Sequence, residues 1–329
     1  MKRIRINNRV YVKESVEFVR IEKWLLDVGD TLSCDIYCDV ESEETKELFL
    51  PKENSIDMQI KMQIDDMEYL YILREDLSIY DHFVDAVIQA VAQNEQIPIT
   101  KKAAVIYRQA SEILDEMFEN PEALENVPKS KKVVNKFVDT IFSDSHAIES
   151  LIKITAYDYY THTHSINVCV YALSLGSYLK LTANVLEELG MSALLHDLGK
   201  SKVNSAITNK NGRLSDDEFE QMKHHPVYGY QIALKIGITD TRILDGIRHH
   251  HEKLDGSGYP DAISGKRITL FARIIGVCDV FDALSTKRSY KDRLKSYDSL
   301  KLMKETMSEH LDIAIVDAFI RMQQHDQLL

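Results

Sequence analysis

The sequence predicts an α+β protein: a small β-rich N-terminal domain, then connecting helices, then an all-α C-terminal domain. Three observations carry this. β-branched and aromatic residues, partly alternating, dominate the first quarter of the chain. From Ser78 onward apolar residues recur at three- and four-residue spacing, the period of a buried helix face. Only His82 and His146 precede residue 160, whereas a dense set of histidines lies between 162 and 251.

The strand candidates are "RVYVKESVEFVRI", "TLSCDIYCDV", "KELFL" and "MEYLYIL", separated by the charged breaks "ESEETKE" and "PKENS". The helical run opens with "YDHFVDAVIQAVAQ" and continues through residues 101–118. "NPEALENVPKSKK" is a polar break with two prolines, after which helical periodicity resumes at "VVNKFVDTIF". The expected domains are therefore 1–80, an accessory module for regulation or dimerisation; 81–145, connecting helices; and 146–329, the helical domain. A homodimer is expected through the connecting helices.

Composition narrows the function. With 44% apolar and 28% charged residues the chain can bury a sizeable core. Its net charge of -12 argues against DNA or an anionic membrane as partner, so an anionic ligand must meet local positive charge or metal. No apolar leader or membrane-spanning stretch is evident, and a reducing, cytoplasmic setting is expected. Cys34, Cys38, Cys169 and Cys278 form no disulfide framework and read as packing residues.

Five stretches of the C-terminal domain place a His or Asp inside or at the end of an apolar run: "YTHTHSINV", "LLHDLGK", "KHHPVYG", "RHHHEKLDGSGYP" and "GVCDVFDAL". Buried imidazoles and carboxylates in such number need partners, and metal ions are efficient ones. Ile243, Leu244 and Ile247 define the apolar stripe before the triple histidine, and its continuation selects His250 and His251 as inward-facing. His249 falls on the polar side and should be replaceable. Adjacent helical residues diverge by about 100°, which suits two neighbouring metals. His196 and Asp197 follow two leucines, and a carboxylate beside an imidazole can bridge two ions. Gly199 marks the expected helix end, with Lys200 beside it within reach of a phosphate. One of Asp279 and Asp282 is a ligand and the other its support. Arg288 and Lys291 can share a face directed at an anion. Periodicity does not separate His162 from His164, or His224 from His225. In the turn after the histidines, Asp255, Gly256 and Gly258 bend the chain and bring Tyr259 back toward the metals. Glu252 reads as support rather than ligand.

Taken in order, "YTHTHS", "HDLGK", "HHPVYG", "HHEKLDGSGYP" and "DVFDALSTKRSYK" resemble the HD-GYP phosphodiesterases, a branch of the HD superfamily of metal-dependent phosphohydrolases. The resemblance covers roughly residues 140–329. It implies an HD-type helical fold and hydrolysis of cyclic di-GMP to the linear dinucleotide pGpG, GMP or both. It implies metal ligation by His164, His196, Asp197, His225, His250, His251 and Asp279, with Asp197 bridging. Lys200 is expected to act in catalysis and on the substrate, and Tyr259, Arg288 and Lys291 to bind substrate. The implied cofactor is two divalent ions, iron or manganese ahead of zinc. Members with three metals carry a glutamate four residues before the first histidine; Tyr160 stands there, so a binuclear centre is expected, stopping at the linear product. Ser289 replaces a usual proline. Cyclic GMP-AMP is the alternative substrate. A non-catalytic sensor, or a protein partner at the GYP loop, is the alternative role.

Overall fold

The structure is a computed structural model and describes residues 3–6, 9–13, 17–40, 45–94, 96–144, 146–155, 163–210, 212–285 and 296–325. The chain divides into two compact units, Met1–Val105 and Ile106–Leu329.

In the first unit six strands form one antiparallel sheet. They are β1 (Arg3–Ile6), β2 (Arg9–Lys13), β3 (Phe18–Ile21), β4 (Ile36–Asp39), β5 (Thr45–Leu50) and β6 (Leu70–Leu73). Their order is β1-β2-β5-β4-β6-β3. Tyr37, Tyr71 and Leu73 form an aromatic core on which Phe18, Leu48 and Tyr69 pack, with the Phe18 and Tyr37 rings edge to face at 5.2 Å. Cys34 is buried just before β4 and Cys38 is half-buried on it, as packing residues would be. Helix α1 (Met58–Asp66) was not legible in the sequence, because only Ile64 of it is buried and no apolar stripe forms. Asp57 starts it, its side chain accepting from the Ile60 amide at 2.8 Å. Helix α2 (Leu77–Gln93) follows, and α3 (Ile99–Glu119) carries the division between the units.

In the second unit α4 (Asn126–Ser143) begins inside the stretch read as a polar break. Pro128 falls in its first turn, where amide hydrogens lack helical acceptors anyway, so the proline does not interrupt it. There follow α5 (Ala147–Thr155), α6 (Thr163–Tyr178), α7 (Ala183–Leu195), α8 (Ser205–Thr208), α9 (Asp216–Met222), α10 (His225–Lys235), α11 (Thr241–His249), α12 (Leu270–Ser285), α13 (Ser296–Thr306) and α14 (Ile313–His325). Helices α6, α7 and α12 are buried on most sides and form the interior. Helix α11 is strongly two-faced: Ile243, Leu244 and Ile247 are buried, and Asp240 caps it by accepting from the Arg242 amide. Among the described residues no helix is long and apolar enough to cross a membrane.

Gly199 does not end a helix as the sequence suggested. Helix α7 stops at Leu195, and Gly199 lies in a short 3-10 turn, Leu198–Lys202. Its glycine is required by close approach: a Cβ there would stand 1.9 Å from the His225 carbonyl oxygen and 2.4 Å from the Gly229 amide. The backbone after the His-Asp pair is thereby pressed against the start of α10. Gly199→Ala should lower stability by at least about 2 kcal/mol, because backbone rather than a flexible side chain must give way. A melting temperature equal to that of the parent would contradict this contact.

Candidate metal centre

All the candidate ligands but Asp279 sit where a helix begins or ends. His164 is the second residue of α6, His225 the first of α10, and Asp279 lies on α12. His196 and Asp197 follow the end of α7, and His250 and His251 follow the end of α11. These ends converge in the interior of the second unit, where His196, Asp197, His225 and His250 are all buried.

Three of the histidines are fixed in the same way. The Nδ1 atoms of His196, His225 and His250 lie 2.7, 2.8 and 2.8 Å from the carbonyl oxygens of Ala193, Met222 and Ile247, each three residues earlier. A carbonyl only accepts, so each Nδ1 carries the proton and each Nε2 presents a lone pair. Those lone pairs face one another: the Nε2 atoms of His225 and His250 are 3.3 Å apart. Among the described residues, the His196 Nε2 and the Asp197 Oδ1 are buried with no hydrogen bond. The His225 Nε2 is 3.2 Å from that oxygen but outside hydrogen-bond geometry. Buried lone pairs turned on each other are unfavourable unless a cation lies between them.

The donors fall into two sets. Asp197, His225, His250 and His251 form one; His164, His196 and Asp279 form the other; within each, the ligand atoms lie within 4.8 Å of one another. Asp197 joins them. Its Oδ1 faces His225, while its Oδ2 is 3.5 Å from the His164 Nε2, 3.4 Å from the His196 Nε2 and 2.5 Å from the Lys200 Nζ. The donor chemistry of both sets fits divalent metal ions. His250 and His251 enter one set rather than two. His250 keeps helical backbone angles as the C-cap of α11, yet the two rings turn toward each other and lie 4.2 Å apart. His251 also borders the other set, its Nδ1 3.7 Å from the Asp279 Oδ2.

Electrostatics hold most of these groups in the state a metal needs. Burial pushes the Asp197 carboxyl up, but Lys200, His196 and His225 keep it well below the usual carboxylate range. Asp279 is likewise held well below it, by His164 and His251 against the effect of burial. Burial, reinforced by neighbouring imidazoles, lowers His250 strongly, and burial lowers His251 to about 3, so both stay neutral. His164 differs: burial opposes its charge, but Asp279 and Asp282 overcome this and raise its pKa to about 9.

A hydrogen-bonded chain stands behind His164. Its Nδ1 is 2.7 Å from the Asp282 Oδ2. The Asn167 amide donates to the Asp282 Oδ1 at 2.9 Å, and the Tyr107 hydroxyl donates to the Asn167 Oδ1 at 2.6 Å. Asp282 thus aims His164, while Asp279 faces it directly at 3.0 Å. The sequence reading saw Asp282 but missed Asn167 and Tyr107. Asn167 had a signal, a lone polar residue three after His164 in an apolar helix; Tyr107 had none.

His224 is exposed and turns away, its Nδ1 on the Glu220 carbonyl and its ring on Tyr228. His249 stays outside both sets, yet it is not spare. It lies between the Asp245 Oδ1 at 2.7 Å and the Asp261 Oδ2 at 2.8 Å, and Arg248 grips Asp261 through two contacts. Glu252 accepts from the Asp261 amide at 2.7 Å. These contacts tie the turn to α11. Gly258 lets the turn close, since a Cβ there would meet the Lys253 amide at 2.4 Å. Tyr259, joined to Pro260 by a cis peptide, stacks on His251 with ring centres 4.7 Å apart. Tyr160, His162, Arg288, Ser289 and Lys291 lie outside the described residues.

Residues 147–315 match the HD domain family model. The chain is 32% identical to a cyclic di-GMP phosphodiesterase of Pseudomonas aeruginosa, over 70% of this chain and 55% of that protein. It is 31% identical to a 3'3'-cGAMP-specific phosphodiesterase of Vibrio cholerae, over 61% of this chain and 46% of that one. The chain thus spans about half the length of these curated relatives. Among solved structures, the HDG"Y"P protein of Bdellovibrio bacteriovorus shares the fold, with a TM-score of 0.65 at 20% identity over 94% of this chain and 100% of that one.

Three outcomes test the centre. His251→Ala should lose bound metal, whereas His249→Ala should keep it and lose about 1–2 kcal/mol of stability; metal analysis and thermal melting separate the two. Asp282→Asn should weaken metal binding by about 10–100-fold, read by competition with a chelator. In metal-free protein His164 keeps its proton until the pH passes about 9. Metal loading at neutral pH should therefore release about one proton from His164, and this release should fade above that pH. Calorimetry in buffers of different ionisation enthalpy counts it; no difference between buffers would contradict the assignment.

Proposed function

We propose that this chain, which belongs to the HD domain family, is a metal-dependent phosphodiesterase that cleaves cyclic di-GMP. The observation that carries the proposal is the meeting of two buried donor sets at Asp197, with the His196 Nε2 and the Asp197 Oδ1 left without hydrogen bonds among the described residues. The relatives that act on cyclic dinucleotides supply the substrate class.

His164, His196 and Asp279 would hold one divalent ion; His225, His250 and His251 would hold the other, with Asp197 shared. When bound, the ions supply Lewis acidity and lower the pKa of water so that a hydroxide forms near neutral pH. Mixed imidazole and carboxylate donors suit iron or manganese ahead of zinc. The protein's own groups do the rest. Asp197 stays anionic and fixes the spacing of the two sets. Lys200, on the Asp197 Oδ2, stands beside the place where phosphate charge develops. Burial, together with Asp279 and Asp197, raises the Tyr259 pKa, so its hydroxyl keeps its proton and can donate to a phosphate oxygen. Arg288 and Lys291 belong to the same phosphate-binding group in this reading. Cleavage of one phosphodiester gives pGpG, and the tyrosine at position 160 favours stopping there.

In this reading residues 146–329 carry the activity, residues 81–145 connect, and residues 1–80 form an accessory module. The protein works in the cytoplasm as a homodimer paired through the connecting helices, with the GYP loop free for a protein partner. A second reading, cyclic GMP-AMP as substrate, is favoured by the identity to cGAMP-specific relatives. The donor sets serve both, because base recognition lies elsewhere.

The test is turnover of the full chain loaded with Fe²⁺ or Mn²⁺, on cyclic di-GMP and cyclic GMP-AMP side by side, with the products identified. Exchange of His196 and Asp197 for alanine should lower kcat at least about 1000-fold. Undiminished turnover would overturn the proposal, as would full activity with fewer than about two metals per chain.

A further inference from the structure

Among the described residues the two donor sets consist of imidazoles and carboxylates, the chemistry of metal ligation rather than of base recognition. One line of aromatic rings leads out from them. Tyr259 stacks on His251 at 4.7 Å, and the Phe219 ring stands edge-on to Tyr259 at 6.4 Å. Phe219 lines an open cleft of about 620 Å³ together with Gly212, Arg213, Leu214 and Asp216. Two ring contacts therefore separate a metal-set histidine from this cleft.

The cleft has the chemistry of a base site rather than of a packed surface. Phe219 is a large apolar side chain left 44% exposed, with the Lys223 ammonium over its ring at 5.1 Å, so a base would stack on the side away from that lysine. Neither Arg213 nor Asp216 has a side-chain hydrogen bond or ion pair among the described residues. Their neighbour Glu218, by contrast, is held by Lys210 and by the Ser215 amide in a capping box. The local structure is thus stabilised by Glu218, and Arg213 and Asp216 remain available. A guanidinium matches two acceptors on one edge of guanine, O6 and N7. A carboxylate matches the two donors on another edge, N1–H and N2–H₂. Adenine lacks the O6 acceptor and has an acceptor at N1, so it would face the carboxylate with a lone pair.

We propose that this cleft is a guanine subsite, in which the base stacks on Phe219, Asp216 accepts from N1–H and N2–H₂, and Arg213 donates to O6 and N7. The inference rests on the cyclic dinucleotide reading and deepens it. It assigns selection of guanine over adenine to α9 and the residues just before it, apart from the metal ligands.

The test separates this inference from the phosphodiesterase reading by measuring binding as well as turnover. GMP and AMP are titrated into the metal-loaded full chain. The parent should prefer GMP by about tenfold or more, in line with one good bidentate base contact. Asp216→Ala and Asp216→Asn should both abolish that preference, since asparagine presents a donor where guanine also donates. Phe219→Ala should weaken both nucleotides by about tenfold. Both positions are exposed, so folding is not at stake. Equal binding of GMP and AMP by the parent, or a preference unchanged in both Asp216 variants, overturns the subsite even if cyclic di-GMP is cleaved. Absence of cleavage with the GMP preference present and lost in the Asp216 variants overturns the phosphodiesterase reading and upholds the subsite.

Discussion

The Asp197 carboxylate is the point on which the second unit depends. Its two oxygens are approached by nitrogens of His164, His196, His225 and Lys200, drawn from the starts of α6 and α10 and from the turn after α7. A buried carboxylate is costly unless compensated, and here one cation and several polarised imidazoles compensate it. The same arrangement leaves lone pairs of neighbouring imidazoles turned toward each other. That is an unstable way to fill a core and a sound way to prepare a site for cations.

Precision at this point comes from the backbone more than from side-chain packing. Three imidazoles are aimed by the carbonyl oxygen three residues before them, a bond that helical or near-helical geometry provides at no extra cost. His164 is aimed differently, through Asp282 with Asn167 and Tyr107 behind it. Close backbone contact through Gly199 sets how near the His-Asp turn comes to α10. Ligand placement is therefore coupled to the packing of α6, α7, α10 and α12, so the scaffold and the site stand or fall together.

The segment after α11 links this scaffold to the outer wall. His249, Arg248 and Glu252 converge on Asp261 and hold the turn, so that Tyr259 lies flat on His251. A residue that reads as surface-facing on a helical wheel is thus part of the brace that orders the wall. From that wall the rings of Tyr259 and Phe219 continue toward the cleft at α9.

The sequence by itself determined the α+β class, the strand segments and most of the helices, because period and composition are local properties. The stripe of α11 pointed to His250 and His251, yet of the three only His250 is fully buried and His249 is less exposed than His251. Local signals also misled: Gly199 read as a helix end, Pro128 as a break, and adjacent histidines as ligands of separate ions. Helix α1 and strand β1 left no clear pattern. Only the tertiary structure decided which donors share a set, that Asp197 joins both, that His225 rather than His224 belongs, and that Tyr107 stands behind His164 through two other side chains. The physical reason is that ligation depends on distances between segments far apart in the chain. Such distances are fixed by how helix ends converge, and no window of sequence contains them.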